Sequence, residues 1–308
     1  MGSKNFKAHL AILGANIIYG VNYSIAKGIM PDYMTPLGLT FIRILGATLF
    51  FWLFSSFKVK EKMLPKDMIR LIIAAFFGVF LNQMLFLKGL NFTTPIDASI
   101  IMTVNPVLVL VVSAILIRER ITWLKLLGIF TGAFGAIILI TKGGDVDFSS
   151  QNFAGNIMMF FNALSYGVYL VLIKPLMVKY HPLTVMKYVF LTGLVFITPI
   201  GIGDFIRTDW AIIPTDIIMS IVYVVLFTTV FAYLLNIYGL KFVRPTTVSI
   251  YIYSQPIIAS IVAILLGKDQ LGIIQIISTL LVFAGVYMVS KPKAPDLIRK
   301  FEDQQVNK

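Results

Sequence analysis

Ten apolar segments, each about long enough to cross a bilayer, follow one another along the 308 residues of this chain. A transmembrane helix needs about 20 residues, and Pro, Gly and charged residues separate stretches of that length. Mean hydropathy is +0.89, and only 13% of residues are charged, against about 25% in a soluble domain. The sequence therefore predicts an all-α integral membrane protein with ten transmembrane helices. They lie near residues 8–29, 36–57, 68–88, 95–117, 123–141, 153–175, 182–203, 214–238, 245–267 and 271–290.

Basic residues are distributed unevenly over the connections between these helices. If the N-terminus is cytoplasmic, 19 of the 26 lysines and arginines fall in inner segments and five in outer segments. Since Lys and Arg favour cytoplasmic loops, we expect both termini in the cytoplasm and the chain in the inner (plasma) membrane. The net charge of +12 then serves topology and contact with anionic membrane lipid. No nucleic-acid partner is expected.

Two distant stretches of the sequence repeat one another. GLNFTTPIDASIIMTVNP at Gly89–Pro106 and GLKFVRPTTVSIYIYSQP at Gly239–Pro256 share seven of eighteen positions. The offset of 150 continues to Gly135 and Gly285. YGVNYSIAK at Tyr19–Lys27 and YGVYLVLIK at Tyr166–Lys174 match at an offset of 147. The chain therefore divides into two halves of five helices each.

Because five is an odd number, the second half must enter the membrane from the opposite side. The loop Arg118–Arg120 is predicted to be cytoplasmic, whereas its counterpart Lys268–Gln270 is predicted to be outside and has lost most of its positive charge. Two inverted-topology five-helix repeats are typical of secondary transporters, which use them for alternating access. We expect the first repeat at residues 1–145, the second at 150–291 and a cytoplasmic tail at 292–308.

These features resemble the drug/metabolite transporter superfamily and its EamA-type ten-helix members over almost the whole chain. The resemblance rests on an ordered set of motifs: Tyr19–Tyr23, Phe41–Arg43, Asn105-Pro106, Glu119–Thr122 and Gln255-Pro256. The chain departs from the family where Tyr19 replaces a Trp and where Lys268-Asp269 replaces Gly-Glu. The resemblance implies a transporter of small polar metabolites, amino acids or related carboxylate-bearing compounds, that works by efflux.

Two basic residues lie more than four residues from either end of a predicted span. Arg43 lies seven residues after Pro36, about 10 Å along its helix. It either binds a carboxylate-bearing substrate in a central pathway or bonds to backbone carbonyls and the interface. Lys187 lies five residues after Pro182, and it either lines the same pathway or extends its charged end to the headgroups.

Amide and aromatic residues within the spans are the other candidates for the substrate pathway. In membranes such groups either line a cavity or bind one helix to another. The candidates are Asn16, Tyr19, Asn22, Asn82, Gln83, Asn162, Tyr166, Tyr169, Asn236 and Gln255.

Pro106 and Pro256 fall near the middle of the fourth and ninth predicted helices. Proline leaves the carbonyl four residues earlier without its donor. That carbonyl either contributes to the substrate site or marks a static kink that a neighbouring group satisfies.

The remaining residues bear on the transport mechanism and on alternative functions. No Asp, Glu or His is expected near the membrane midplane, so facilitated diffusion or exchange is favoured over proton coupling. An intramembrane enzyme is the main alternative, because GIGD at Gly201–Asp204 matches an aspartyl-protease element, but no second aspartate accompanies it. A membrane scaffold without transport is a further alternative. We expect no enzyme, no metal and no cofactor, a small-molecule substrate, and a monomer or homodimer.

Overall fold

The computed structural model describes residues 2–58, 61, 63–117, 122–140, 150–243, 245–267 and 270–290. Three features of the sequence therefore lie outside the described residues: the Arg118–Arg120 loop, the Lys268-Asp269 pair and the tail at 292–308. The described residues are helical, with short connections and no strand.

The described helices form ten segments whose positions agree with the predicted spans to within a few residues. Uninterrupted helices make up α1, α2, α5, α6, α7 and α10, while the other four contain a break. The bounds are α1 (Gly2–Ile29), α2 (Pro36–Lys58), α3 (Pro65–Ala75, Phe76–Leu81 and Asn82–Phe92), α4 (Pro95–Met102 and Asn105–Ile117), α5 (Trp123–Ile140), α6 (Gln151–Lys179), α7 (Pro182–Ile206), α8 (Thr215–Tyr223, Val224–Phe231 and Ala232–Phe242), α9 (Pro245–Ile250, Tyr251–Tyr253 and Ser254–Leu265) and α10 (Ile273–Ser290).

Length and composition of the helices confirm a multi-span membrane protein. Among the described residues, six helices are long and apolar enough to cross a membrane, and shorter apolar helices lie within α5, α9 and α10. At 28 residues α1 is long enough, but it is less apolar because it carries polar residues such as Asn16 and Asn22. Large apolar side chains such as Trp123, 81% exposed, and Leu265, 79% exposed, cover the exterior. Such a surface suits hydrocarbon rather than water.

Packing between the helices follows the two repeats. In the first repeat α1 packs against α8 and α9 of the second, while in the second repeat α6 packs against α3 and α4 of the first. These are corresponding contacts, because α6 is the repeat partner of α1, and α8 and α9 are those of α3 and α4. The remaining partners pack directly on each other, α2 on α7 and α5 on α10. The two halves are thus interlocked around a pseudo-two-fold axis.

The breaks in the helices also occur in repeat-related pairs. The π-helical turn Phe76–Leu81 in α3 corresponds to Val224–Phe231 in α8, and both lie next to cavity-lining residues described below. In α4 the helix is interrupted between Met102 and Asn105, and in α9 it tightens into a 3₁₀ turn at Tyr251–Tyr253. Hydrophobic periodicity cannot reveal a π turn, and no other pattern in the sequence marked the breaks of α3 and α8. The breaks of α4 and α9 lie a few residues before Pro106 and Pro256, the positions at which the sequence analysis expected a kink.

Close approach of α5 and α10 depends on glycine. A Cβ on Gly285 would lie 2.5 Å from the backbone nitrogen of Gly132 and 2.6 Å from the carbonyl oxygen of Gly128. Small residues four apart allow two helices to pack at such short range. This face of α5 is therefore used within the fold, by the α5–α10 pair.

Candidate functional site

A cavity lies between the two halves of the molecule, and it encloses about 610 Å³ of non-atom space when its open mouth is included. Ten of the twelve predicted pathway residues line it: Asn16, Tyr19, Asn22, Arg43, Asn82, Gln83, Asn162, Tyr166, Asn236 and Gln255. The residues come from α1, α2, α3, α6, α8 and α9, so that both repeats contribute. The other lining residues were not among the predicted pathway residues: they are Tyr23, Phe86, Met102, Thr228, Tyr233, Val248 and Ile252.

Arg43 is the charged residue among the described residues that line the cavity. Its side chain is 3% exposed, and its Nε atom donates a hydrogen bond of 3.0 Å to Oγ1 of Thr229. The guanidinium carbon lies 6.0 Å from the centre of the Phe86 ring, and the Nη1 atom is buried without a hydrogen-bond partner. Within the described part of the chain no carboxylate forms a salt bridge with it. Arg43 therefore lies in the cavity and not at the membrane interface.

A π-helical turn determines how Thr229 meets Arg43. The hydroxyl of Thr229 donates to the carbonyl of Val224, five residues earlier, at 2.8 Å. That bond uses the hydroxyl hydrogen, so the oxygen is free to accept from Arg43. π turns are rare overall but occur often at functional sites. The π turn in α8 leaves the Thr229 oxygen available to Arg43.

Some of the amides in the cavity are fully occupied in joining helices. Gln255 donates to Oδ1 of Asn16 at 2.6 Å and accepts from the hydroxyl of Tyr23 at 2.9 Å. The Nδ2 atom of Asn16 donates to the carbonyl of Ile12 at 2.8 Å. The two bonds of Gln255 connect α1 to α9 across the repeat boundary. Asn16 and Gln255 therefore act as connectors between the halves in this structure.

Other polar pairs join the halves around the same cavity. Asn82 and Asn162 exchange side chain-to-backbone bonds: Asn82 donates to the Asn162 carbonyl at 3.2 Å and Asn162 to the Asn82 carbonyl at 2.6 Å. The remaining pairs are Thr228 to Oδ1 of Asn22 at 3.0 Å and Nδ2 of Asn236 to the hydroxyl of Tyr19 at 3.3 Å.

Several cavity residues keep a buried polar atom without a partner. Besides Nη1 of Arg43, they are the amide oxygens of Gln83, Asn162 and Asn236. Buried polar groups are usually hydrogen-bonded, so a cluster of exceptions around one cavity points to a ligand. One cationic donor and several acceptors suit a small molecule that carries an anionic group and further polar groups.

The carbonyls that Pro106 and Pro256 leave without a helical donor belong to residues that line the cavity. Pro106 cannot donate to the carbonyl of Met102, and Pro256 cannot donate to that of Ile252. Met102 and Ile252 are repeat partners, and both line the cavity. The helix interruptions lie two to five residues before the prolines, where the lost bond is expected to act.

Two predicted pathway residues do not line the main cavity. Tyr169 is 1% exposed and packs behind it, where a Cβ on Gly78 would lie 2.0 Å from its ring. Together with Tyr19 and Tyr166 it borders a closely packed region beside the main cavity. The Nζ atom of Lys187 lies 4.7 Å from the centre of the Trp52 ring and 4.9 Å from that of Tyr188. Lys187 therefore makes cation–π contacts away from the cavity.

The GIGD stretch at Gly201–Asp204, which suggested an enzyme, also lies outside the cavity. Asp204, at the end of α7, accepts a hydrogen bond of 2.8 Å from the hydroxyl of Thr35. Neither residue lines the cavity. The described residues that line the cavity include no Asp, Glu or His.

Tyr233 and Thr229 are the residues whose importance the sequence analysis missed. Tyr233 lines the cavity, and its hydroxyl donates to the carbonyl of Gly78 at 2.9 Å and lies 3.5 Å from Nε2 of Gln83. The repeat offset of 150 leads from Gln83 to Tyr233, so this signal was present in the sequence. Thr229 had no comparable signal, because its role depends on the π turn.

The chain was also compared with known proteins. A model of the EamA-like transporter family matches it twice, over residues 6–141 and 153–291. "Uncharacterized transporter YyaM" of Bacillus subtilis (strain 168) is 24% identical over 290 residues, which cover 93% of this chain and 94% of the relative. An "Uncharacterized transporter" of Archaeoglobus fulgidus is 26% identical over 288 residues, covering 93% of this chain and 98% of the relative.

More distant similarities extend over nearly the same length. "WAT1-related protein At3g53210" of Arabidopsis thaliana is 23% identical over 328 residues, covering 94% of this chain and 86% of the relative. A solved crystal structure, described only as that of a protein, gives a TM-score of 0.64 at 15% identity and covers 94% of this chain and 97% of the other. At that identity the likeness concerns the fold alone.

Proposed function

We propose that this chain, which belongs to the EamA-like transporter family and is a membrane transporter, moves small polar metabolites that carry a carboxylate, with amino acids among them. The observation that carries this proposal is Arg43. A buried cation costs several kcal/mol unless a partner compensates it. Within the described residues Arg43 has a hydroxyl partner and no anionic one, and its Nη1 atom has none. A substrate carboxylate would complete this site, because the planar guanidinium binds carboxylates through two parallel hydrogen bonds.

The polar pairs between the halves support alternating access as the mechanism. Asn16–Gln255 and Asn22–Thr228 connect α1 to the second half, and Asn82–Asn162 connects α6 to the first half. Each contact crosses the repeat boundary, so rocking of one half against the other would have to break and re-form these bonds. Two nearly equivalent packings, open to opposite sides, follow from the inverted repeat.

The composition of the cavity supports facilitated diffusion or exchange. Proton- or sodium-coupled transporters usually carry an ionisable acid near the midplane. Among the described lining residues there is none. We take efflux as the physiological direction from the family likeness, with the protein in the plasma membrane.

The experiment that tests this function is uptake into proteoliposomes from a mixed metabolite pool, read by mass spectrometry. Wild type is compared with Arg43→Ala and with Lys187→Ala as a matched control. Both variants remove one cation from a membrane helix, but Lys187 contacts Trp52 and Tyr188 outside the cavity.

We expect wild type and Lys187→Ala to accumulate carboxylate-bearing compounds selectively and Arg43→Ala to lose that accumulation. Unchanged accumulation in Arg43→Ala would remove Arg43 from the substrate site. No accumulation by folded wild-type protein would overturn the proposed substrate class.

A further inference from the structure

A second polar site lies in the same cavity as Arg43, on α3 and α6. Gln83 is 2% exposed and Asn162 is 1% exposed, and both line the cavity. In each residue the amide oxygen is buried without a hydrogen-bond partner. The unpaired atoms are therefore acceptors, opposite in character to the unpaired Nη1 donor of Arg43.

The hydrogen bonds of Asn162 fix which end of its amide is unpaired. Its Nδ2 atom donates to the backbone carbonyl of Asn82 at 2.6 Å. A carbonyl oxygen can only accept, so the atom that faces it must be the nitrogen. Rotation of the amide by 180° would place two oxygens against each other. The unpaired atom of Asn162 is therefore its amide oxygen, which is a hydrogen-bond acceptor.

A similar argument applies to Gln83. The hydroxyl of Tyr233 uses its hydrogen in the 2.9 Å bond to the carbonyl of Gly78. Its oxygen can then only accept, and the amide nitrogen of Gln83 lies 3.5 Å from it. The opposite end, Oε1, is left without a donor.

Another lining residue carries a backbone acceptor that a proline leaves without its helical donor. Pro106 cannot donate to the carbonyl of Met102, and Met102 lines the cavity. Uncharged acceptors of this kind stabilise an ammonium group without neutralising it, and an ammonium carries three donors. A carboxylate would find no donor in them.

From these observations we infer that Gln83 and Asn162 form a subsite for the ammonium group of the substrate, so that the cavity selects zwitterionic amino acids over carboxylic acids that lack an amino group. This inference rests on the proposed function, because the carboxylate of the same molecule is assigned to Arg43. The subsite adds the requirement of an amino group on the substrate, which the Arg43 site alone does not impose.

Binding to purified protein in detergent tests the subsite without the complication that carboxylic acids cross membranes by themselves. The probes are the common L-amino acids and, for each, the acid with hydrogen in place of the amino group. The measurement is the ligand-dependent rise in melting temperature, which gives the affinity. The variants are Gln83→Met, which keeps the length of the side chain and removes the amide, and Gln151→Met, an exposed glutamine at the start of α6, as control.

We expect wild type and Gln151→Met to bind at least one amino acid about tenfold or more tightly than its desamino acid, as for a hydrogen bond to a charged group. In Gln83→Met the preference is expected to fall to roughly threefold or less because the amino acid alone loses affinity. If Gln83→Met does not fold, Gln83→Asn, whose shorter side chain withdraws the amide, is expected to reduce the preference in the same direction.

Equal binding of amino and desamino acids by wild type would overturn the subsite and leave the proposed function standing. The same holds if Gln83→Met weakens both ligands equally. Absence of binding by every carboxylate-bearing probe would overturn the proposed function and the subsite with it.

Discussion

The Nδ1 atom of His9 lies 2.7 Å from the hydroxyl of Tyr251, and this contact joins the two halves of the molecule. His9 is on α1, and Tyr251 is in the 3₁₀ turn of α9. The offset of 147 that relates α1 to α6 leads from His9 to Asn156, whose amide oxygen accepts a hydrogen bond from Thr93. In the predicted topology the two contacts lie near opposite faces of the membrane. Each therefore connects the two halves near one of the predicted membrane faces.

Alternating access requires the halves to separate at these two ends in turn. The chain contains no cysteine, so a cysteine pair can be introduced without a background reaction. We expect His9→Cys/Tyr251→Cys protein, treated with a reversible thiol cross-linker, to lose proteoliposome uptake and to regain it on reduction. Thr93→Cys/Asn156→Cys is expected to behave in the same way. Each single variant, given the same treatment, is the control, and full transport by fully cross-linked protein would argue against rocking of the halves.

Thr229 is expected to position the guanidinium of Arg43. Thr229→Val keeps the shape of the side chain but removes the acceptor of the 3.0 Å bond from Nε, whereas Thr229→Ser keeps it. Because a hydrogen bond to a charged group contributes about 1.5–3 kcal/mol, Thr229→Val should raise the KM for the substrate roughly tenfold. Uptake kinetics measure this, with KM affected more than the maximal rate.

The control for this prediction is Thr198→Val. Thr198 lies on α7 outside the cavity, and its hydroxyl donates to the carbonyl of Leu194 in the preceding turn. A KM in Thr229→Val that equals that of Thr198→Val and Thr229→Ser would show that Arg43 keeps its position without the hydroxyl.

Periodicity and the internal repeat predicted the helices and the correspondence between the two halves, because these depend on position along the chain. What they could not predict was the direction of a side chain around its helix. Arg43 and Lys187 occupy similar depths in repeat-related helices, yet one lines the cavity and the other contacts Trp52. Depth can be counted from a helix end in the sequence, whereas rotation is decided by packing between helices.

The repeat identified a second pair of residues whose role only the structure reveals. Lys27, near the end of α1, donates to the carbonyls of Leu90 at 2.9 Å and Asn91 at 2.6 Å, at the end of α3. Its partner Lys174 on α6 donates to the carbonyl of Leu240 and to others at the end of α8. The last carbonyls of a helix have no intrahelical donor. The matched lysines therefore cap corresponding helices.

From this arrangement we predict that Lys174→Met destabilises the protein. The carbonyls at the end of α8 would lose a charged donor, which costs about 1–3 kcal/mol, and the apparent melting temperature should fall by several degrees. Lys27→Met is expected to have a similar effect at the end of α3. Lys241→Met, in which an exposed side chain is changed near the same helix end, is the control. Equal melting temperatures for Lys174→Met and Lys241→Met would show that water or other groups satisfy these carbonyls.

Gly78 lies in the π turn of α3, and its contact with Tyr169 leads to the last prediction. A Cβ at this position would lie 2.0 Å from Cδ2 of the ring, so Gly78→Ala forces the ring or the helix to move. The ring has little room, because the rings of Tyr166 and Tyr233 lie 6.0 Å and 6.5 Å away between centroids. Overpacking of this kind costs about 1–3 kcal/mol. We therefore expect Gly78→Ala to lower the melting temperature in detergent.

Gly203→Ala on α7 is the matched control, since nothing lies within 4 Å of a Cβ there. A double-mutant cycle separates the clash with the Tyr169 ring from the general cost of substituting a residue in a π turn. Tyr169→Leu removes the ring, so Gly78→Ala should cost much less in that background than in wild type. If the cost is the same in both backgrounds, the constraint on Gly78 comes from the backbone of the π turn and not from the Tyr169 ring.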